Sequence, residues 1–293
     1  MNTSQLRSFH AVAQTGSFTA AAKKLHITQP AVTTQVKALE THYDVELFHR
    51  SRRGCVLTQF GEALFEITKQ MNHLDEEASM LLASMSGELR GTLRLVADGP
   101  FHSIGILTNF REKYPEVNIQ LRVGNSSVVE RALSAFEADV AILAGANLSN
   151  DVFTLSCGYQ NVALLVPVEH PFARKNSIQL KKLDGYQMIR REQGSRTQDA
   201  FDRACELNGV KPVFTFEMGS REALKESVAS GLGVGAVSLP ETGNDNRVRA
   251  IEIKGTSIVT EEHVVCLNSR RETRLVRAFL EVAAQYHGYQ LDN

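Results

Sequence analysis

The sequence lacks the features that mark several large classes of protein. Its four cysteines occur in no Cys-x-x-Cys pair and in no spacing typical of metal ligands. We therefore expect reduced, mostly buried thiols and no metal site, with a redox switch as the open alternative. No apolar run approaches the roughly 20 residues that cross a bilayer. Residues 1–5 lead into a polar amphipathic helix rather than a signal peptide. These absences predict a cytoplasmic protein that contacts no membrane. The cysteines are Cys55, Cys157, Cys205 and Cys266.

Enzyme motifs are missing as well. The sequence has no Gly-x-Ser-x-Gly nucleophile elbow and no phosphate-binding P-loop. The glycine-rich residues 231–235 lack the Gly-x-Gly-x-x-Gly spacing of dinucleotide sites, and they lead into a strand rather than a helix. We predict that the protein is not an enzyme and uses no cofactor. An enzyme or a solute-binding protein built on the C-terminal segments is the rival interpretation.

Charge is distributed unevenly, although the formal net charge is only −1. Residues 1–60 contain seven Lys or Arg against three Asp or Glu, so they carry +4 and the remainder carries −5. A length of 293 residues is typical of about two domains. A basic N-terminal part attached to an acidic body predicts that only the N-terminal part binds a polyanion.

Two helix starts lie close together in residues 16–40. A first helix over residues 2–14 precedes them. Ser17 is a good N-cap for a short helix, and Thr28 stands before a second helix with proline in its first turn. The second helix is predicted to run to about Leu39. This pattern indicates two helices joined by a brief turn.

The second of these helices has unequal faces. Val32, Val36 and Leu39 form an apolar stripe that should pack against Ala21 and Leu25. The opposite face carries short hydrogen-bonding side chains and one cation, whereas an ordinary solvated face carries mostly Glu and Lys. Gln pairs well with adenine, and Thr contacts thymine. A helix-turn-helix, whose second helix enters the major groove, is therefore predicted. A plain helical hairpin is the alternative. The residues predicted to contact DNA here are Thr28, Gln29, Pro30, Thr33, Thr34 and Lys37.

A basic turn follows the helices. The apolar pairs at residues 47–48 and 56–57 flank it, which is the pattern of a two-stranded wing. Arg50, Arg52 and Arg53 at its tip suit phosphate contacts or insertion into the minor groove. A solvated basic loop is the alternative.

A long helix is predicted from Thr58 to about Met85. Its apolar positions alternate spacings of four and three residues, which is a heptad seam typical of a two-helix coiled coil. We expect residues 58–86 to form a homodimer. Packing of the seam against the chain's own body is the alternative, and a linker follows at residues 86–91. The seam consists of Phe60, Leu64, Ile67, Met71, Leu74, Ala78, Leu81 and Met85.

The remaining chain alternates strands and helices, which predicts two α/β lobes. Ligands of such folds bind at the carboxyl ends of the strands, and closure of the lobes is a common response. Strands are predicted at residues 92–97, 117–123, 139–143, 161–167, 186–190, 214–217, 234–237 and 264–267. Helices are predicted at residues 101–114, 127–135, 196–208, 221–230 and 273–287.

These segments resemble the LysR-type transcriptional regulators over essentially the whole chain. The most specific part is the run from Leu6 to Glu40, with Gly16-Ser17-Phe18-Thr19 and Thr28-Gln29-Pro30-Ala31-Val32, followed by Leu57-Thr58 and Gly61. The resemblance implies a homotetramer, a dimer of dimers, that binds promoter DNA, responds to a small co-inducer and affects recruitment of RNA polymerase.

The resulting fold class is a multidomain α+β protein. A winged helix-turn-helix is expected at residues 1–60 and a coiled-coil linker helix with a hinge at residues 58–88. Residues 89–293 should form a two-lobed effector domain like the periplasmic binding proteins. Lobe I should comprise about 89–160 and 268–293, and lobe II about 161–267.

The effector domain also resembles the LysR subgroup associated with 2-aminoethylphosphonate catabolism, notably at residues 97–102, 122–126, 217–223 and 264–267. That resemblance implies an anionic, phosphonate co-inducer. Residues 125–127 and 194–197 permit it, because helix N-termini with hydroxyls and Arg bind anions. The alternatives are plain N-caps, a capping role for Asp98, and packing for His102. The predicted effector contacts are Asp98, Gly99, Phe101, His102, Asn125, Ser126, Ser195, Arg196, Thr197, Ser220 and Arg221.

Overall fold

A computed structural model describes residues 1–51, 54–83, 89–145, 150–289 and 291 of the chain. The chain forms two compact units. The first is Met1–Gly87 with Ala135–Glu137, and the second is Glu88–Ser134 with Ala138–Asn293. In the part of the chain that the structure describes, none of the helices has the length and hydrophobicity that a bilayer crossing requires.

The first unit is a bundle of helices with a two-stranded sheet. The Ser17 side chain accepts from Ala20 N–H, and the Thr28 side chain accepts from Ala31 N–H, so both predicted helix starts are confirmed. The helix after Thr28 continues beyond the predicted end at Leu39, because it ends only where Asp44 adopts a left-handed conformation (φ 53°). The elements are α1 (Thr3–Thr15), α2 (Phe18–Leu25), α3 (Gln29–Tyr43), β1 (Phe48–Ser51), β2 (Gly54–Leu57) and α4 (Gln59–Ala83).

The core of the first unit holds α3 in place. Val32, Val36 and Leu39 are buried with Phe9 and Ala21, so the predicted apolar stripe is confirmed. The rings of Phe9 and Phe48 lie 5.3 Å apart and tie the wing to α1. The burial of one face of α3 fixes which residues are left on the other face.

Lobe I of the second unit begins with a parallel sheet. Its strands lie in the order β4-β3-β5, with Leu95 paired to Leu121 on one side and to Val140 on the other. The βαβαβ prediction for this region is confirmed. The elements are β3 (Gly91–Ala97), α5 (Pro100–Lys113), β4 (Val117–Val123), α6 (Ser126–Ser134) and β5 (Val140–Ala144).

Lobe II and the closing helix follow. The strands continue in the order β5-β12-β6-β10-β8-β9, with β11 paired to β6 and β7. The elements are β6 (Val152–Pro167), β7 (Ser177–Gln179), β8 (Gln187–Arg191), α7 (Arg196–Leu207), β9 (Val213–Met218), α8 (Arg221–Ala229), β10 (Val234–Ser238), β11 (Val248–Lys254), β12 (Val259–Leu267) and α9 (Arg274–Tyr286).

Two long strands, β6 and β12, connect the lobes. Residues 152–161 of β6 pair with β12, whereas residues 162–167 pair with β10 and β11. The predictions of strands at 161–167 and 264–267 were therefore too short, and β7 and β11 were not predicted. The missed halves are polar, as at Ser156 and Glu261, whose side chains bond each other at 2.7 Å. Their strand conformation comes from a partner distant in sequence.

Candidate functional site

The outer face of α3 presents polar side chains. Gln29 Nε2 donates to Thr33 Oγ1 at 2.9 Å, so the two side chains form one hydrogen-bonded pair a helical turn apart. The Ser8 hydroxyl donates to Gln35 Oε1 at 2.5 Å and fastens the inner edge of α3 to α1. Thr33 is half-buried, and the other predicted DNA contacts of α3 and its cap are exposed: Thr28, Gln29, Pro30, Thr34 and Lys37.

The wing is an antiparallel pair in which Phe48 faces Leu57. Cys55 N–H donates to Gly16 O at 3.1 Å, which holds the wing beside the turn before α2. Arg52 and Arg53, and the side chain of Arg50, lie outside the described residues. The backbone of the described part therefore places the wing, and the arginine contacts stay a prediction.

Helix α4 has two different apolar faces. Leu64 packs against the core of the first unit, as the own-body alternative required. Phe60, Ile67 and Leu74 recur every seven residues and are 68%, 56% and 64% exposed. This face, which we call the heptad face, is available to a second helix. Met85 and the side chain of Leu81, also in the predicted seam, lie outside the described residues.

In the second unit, Asp98 is the centre of the lobe I side of the interlobe site. It follows β3 and is buried, and its Oδ2 accepts from Ser126 Oγ and from Ala144 N–H, both at 2.7 Å. The capping role considered for Asp98 is wrong, because the N-cap of α5 is Gly99, which has no side chain. Phe101, on the same helix, is 57% exposed, and the side chain of His102 lies outside the described residues.

Lobe II presents an ion pair to Asp98 and Gly99. Arg221 Nε lies 2.6 Å from Glu241 Oε2, and both side chains are largely buried. A Cβ added to Gly99 would lie 2.5 Å from Arg221 Nη1 and 2.7 Å from Glu241 Oε1, so the glycine permits this close approach of the lobes. Ser220 caps α8 by accepting from Ala223 N–H at 3.1 Å, and the structure thus gives it a structural role.

A second set of contacts joins the lobes at the N-terminus of α7. Arg196 Nη2 donates to Glu130 Oε1 at 2.6 Å, and Asn125 Nδ2 donates to Glu192 Oε1 at 3.2 Å. Asn125 Oδ1 also accepts from Val128 N–H at 3.0 Å, so its predicted alternative as an N-cap holds.

The neighbouring Ser195 and Thr197 are buried. Ser195 stands at the N-cap of α7 without making a side-chain cap bond, so the plain N-cap alternative is wrong for this residue. Its hydroxyl and the first N–H groups of α7 are directed at the region where the lobes meet.

Acidic groups dominate the electrostatics of this interlobe site. Burial raises the pKa of Glu241 to about 7, and burial likewise raises the pKa of Asp98 and of Glu262. Arg191 Nε lies 2.7 Å from Glu192 Oε2, so its charge is directed first at that carboxylate. The sequence predicted an anion site and gave no signal for these acids, which belong to no motif.

The cysteines are free thiols. Cys205 and Cys266 are buried, and Cys55 and Cys157 are half-buried. Burial raises the pKa of Cys205 to about 11, and that of Cys157 and Cys266 to about 12. Such thiols are protonated at neutral pH and react slowly. Within the described ranges, no group of three or more His, Cys, Asp or Glu is arranged to hold a metal ion.

A winged helix-turn-helix and a hinged two-lobed domain define a class of protein, the ligand-responsive DNA-binding regulators. Residues 3–62 match the model described as the bacterial regulatory helix-turn-helix protein, lysR family, and residues 86–288 match the LysR substrate binding domain. The chain belongs to the LysR family. It is a DNA-binding transcriptional regulator with an effector-binding domain, and not an enzyme.

Individual proteins agree with this assignment. A probable RuBisCO transcriptional regulator of Cyanidioschyzon merolae is 30% identical over 289 residues, which are 94% of this chain and 95% of that protein. Full-length OxyR C199D of Pseudomonas aeruginosa has the same fold, with a TM-score of 0.78, 22% identity and 97% of this chain and 94% of that one covered. Full-length CbnR in complex with target DNA gives 0.74, 20%, 98% and 100%. The predicted family and fold class are confirmed. The phosphonate subgroup stays a prediction, because no comparison supports it.

Proposed function

We propose that the protein binds promoter DNA through α3 and the wing, and therefore acts in the cytoplasm. Gln29, Thr33 and Thr34 contact base edges, where a good contact contributes about 1–3 kcal/mol of discrimination. The backbone of the DNA is contacted by Thr28, Pro30, Lys37, Arg50, Arg52 and Arg53. The observation that carries the proposal is the exposed polar face of α3 opposite a fully buried apolar stripe.

We further propose that the chain dimerises through α4, within residues 58–86, and that two dimers form a tetramer. The exposed heptad face supports this, because three large apolar side chains on one stripe have no cover in the described part of the unit. A groove of about 370 Å³ between α1 and α4, lined in part by Met71 and Leu74, adds apolar surface beside it. A dimer presents two copies of α3 to two half-sites. RNA polymerase is the proposed partner at the promoter.

The interlobe site is proposed to bind a small effector with an anionic group, of which a phosphonate is one example. The N-terminus of α7 supports this, because its N–H groups, the Ser195 hydroxyl and the Arg196 guanidinium all suit an anion. Asn125, Ser126 and Thr197 adjoin this position. An effector that binds one lobe arrangement more tightly than another shifts the population of arrangements, and this shift changes the affinity for DNA.

A salt-dependence measurement tests the DNA-binding part. We expect the full-length chain to be retained on a duplex-DNA column at about 50 mM salt and to elute as salt rises, although its net charge is −1. Failure to bind duplex DNA at low ionic strength would contradict the proposal. An unrelated acidic protein of similar size, which is not retained, serves as the control.

A thermal-shift screen tests the effector part. The full-length protein is heated with phosphonates, phosphate and amino acids at about 10 mM, and a specific ligand raises Tm by mass action. A Tm unchanged by 2-aminoethylphosphonate and its aldehyde products would remove the phosphonate proposal and leave the family assignment intact.

A further inference from the structure

Three buried carboxyl groups from different parts of the chain meet at the interlobe site. Asp98 follows β3 in lobe I, Glu262 lies on the connecting strand β12, and Glu241 follows β10 in lobe II. Glu262 stands directly opposite Ala144 in the β12–β5 ladder, and Ala144 N–H donates to Asp98 Oδ2. Gly99, the residue after Asp98, touches Glu241 Oε1. These contacts place the three acids around one point, which we call the carboxyl cluster.

Positive charge in the carboxyl cluster is scarce. Arg221 pairs with Glu241 at 2.6 Å, whereas the nearest carboxylate to Arg191 is Glu192, which it contacts through both Nε and Nη2. One guanidinium is therefore placed against three carboxyls, of which Asp98 is 8% and Glu262 is 2% exposed. Buried carboxylates need either a cation or a proton, because water is removed from them.

The electrostatics agree with this deficit. Burial raises the pKa of all three groups, and the negative charge of Asp98 raises the pKa of Glu241 and Glu262 further. Arg221 opposes these shifts without reversing them. Protons thus occupy part of the cluster at neutral pH, and a bound cation can replace them.

A buried hydroxyl gives independent support. Thr260 lies two residues before Glu262 on β12, so both side chains point to the same face of the strand. Thr260 is 5% exposed, and its Oγ1 forms no hydrogen bond with any residue that the structure describes. Ser238, at the end of β10, is 2% exposed, and its Oγ likewise makes no hydrogen bond within the described chain. Buried hydroxyls are normally hydrogen-bonded, so this arrangement points to a polar ligand group.

The cation expected here is organic rather than metallic. The described side chains include no group of three His, Cys, Asp or Glu arranged to hold a metal ion. A protonated amine instead has three N–H donors that reach oxygen atoms at hydrogen-bond distances, and carboxylates and hydroxyls accept them.

We propose that the interlobe site recognises a ligand that carries a protonated primary amine, which binds among Asp98, Glu241, Glu262 and the Thr260 hydroxyl. This inference rests on the proposed function, because it adds an amine-binding end to the proposed effector site. The anionic end of the same ligand faces the N-terminus of α7, so the ligand class is a small zwitterion.

Calorimetric titration of the full-length protein at pH 7 with three matched pairs of probes tests this proposal. Each pair differs only by the amine: 2-aminoethylphosphonate and ethylphosphonate, phosphoethanolamine and ethyl phosphate, β-alanine and propionate. We expect at least one amine-bearing probe to bind at least tenfold more tightly than its partner. Glu262→Gln should reduce that preference to less than threefold without weakening the amine-free partner. Glu252→Gln, at an exposed glutamate of β11, should keep the wild-type preference.

The outcomes separate the two proposals. Equal or tighter binding of the amine-free probes would overturn the amine site and leave the anionic effector site standing. Lack of binding by all three amine-bearing probes would also overturn it, whereas retention on duplex DNA would still support the regulator. Circular dichroism of Glu262→Gln confirms that the variant is folded, and a preserved preference in Glu241→Gln and Glu262→Gln alike would overturn the assignment of the carboxyls.

Discussion

Thr33 and Lys37 stand one helical turn apart on α3 and are proposed to do different things. Thr33 is held by the Gln29 amide at 2.9 Å, which orders a short side chain before DNA arrives. Lys37 is exposed, with a long stem and a charge that suits a phosphate. Base contacts discriminate between sequences, whereas phosphate contacts strengthen all complexes alike.

We predict that Thr33→Ala reduces discrimination against single-base variants of the preferred site by about 1 kcal/mol. Lys37→Ala should weaken every duplex by a similar factor and lower the salt slope by about 0.9 for each phosphate that is no longer neutralised. Fluorescence anisotropy with the preferred site and its variants measures both. Equal, sequence-independent losses of affinity from the two substitutions would count against α3 as the recognition helix.

Gly99 shows how one missing side chain lets the lobes meet. Its φ of −158° suits any residue, so an added Cβ acts only through its contact with the Arg221–Glu241 pair. We predict that Gly99→Ala destabilises the effector domain by about 1–3 kcal/mol, because the pair is displaced. Gly219→Ala is the matched control, since nothing lies within 4 Å of its added Cβ. Calorimetric unfolding of the full chain measures both, and identical Tm values for the two variants would show that the lobes do not meet here.

At the scale of elements, local signals predicted best. The hydroxyls of Ser17 and Thr28 cap their helices with neighbours three residues away, so the sequence alone contains the information. The strands β6 and β12 could not be predicted in full, because each depends on a partner about a hundred residues distant, as in the bond from Ser156 to Glu261.

The interlobe site shows the same limit. Asp98 was a candidate, yet its role depends on Ser126 and Ala144, which lie 28 and 46 residues away. Glu241 and Glu262 were not predicted, because each is a single acid in an ordinary polar stretch. Their significance comes from the fold that buries them together.

The heptad face of α4 leads to a prediction at this scale. Ile67→Glu places a charge in the middle of the exposed stripe, so we expect sedimentation velocity to show a loss of the dimer. Gln70→Glu adds the same charge at another exposed position of α4 and should leave the wild-type mass. A wild-type mass for Ile67→Glu would show that the heptad face is not the dimer interface.

At the scale of the whole molecule, the buried acids make stability depend on pH. A carboxyl whose pKa is raised by folding contributes stability below its unfolded pKa and loses it as pH rises through its folded pKa. Glu241, with a pKa of about 7, and Glu262, whose pKa is also raised, therefore destabilise the folded chain as pH increases. The buried His10, with its pKa lowered to about 4, acts in the opposite direction at lower pH.

The prediction is consequently stated as a difference between two proteins. From pH 5.5 to 8, the Tm of the wild type should fall more steeply than that of Glu262→Gln, which has no charge to bury. Differential scanning calorimetry in a series of buffers measures this, and histidine effects cancel because both proteins contain them. Parallel Tm curves would contradict the burial of a titrating carboxyl at position 262.

The central claim is that a paired set of α3 helices recognises promoter DNA in a sequence-dependent way. Selection of fragmented genomic DNA by the full-length protein, followed by sequencing, tests it and requires no defined operator. We predict enrichment of a few promoter fragments that share two half-sites about one helical turn, roughly 10 base pairs, or a multiple of it apart, and loss of that enrichment in Thr33→Ala. Recovery of fragments with no shared sequence, or equal recovery by both proteins, would contradict the account.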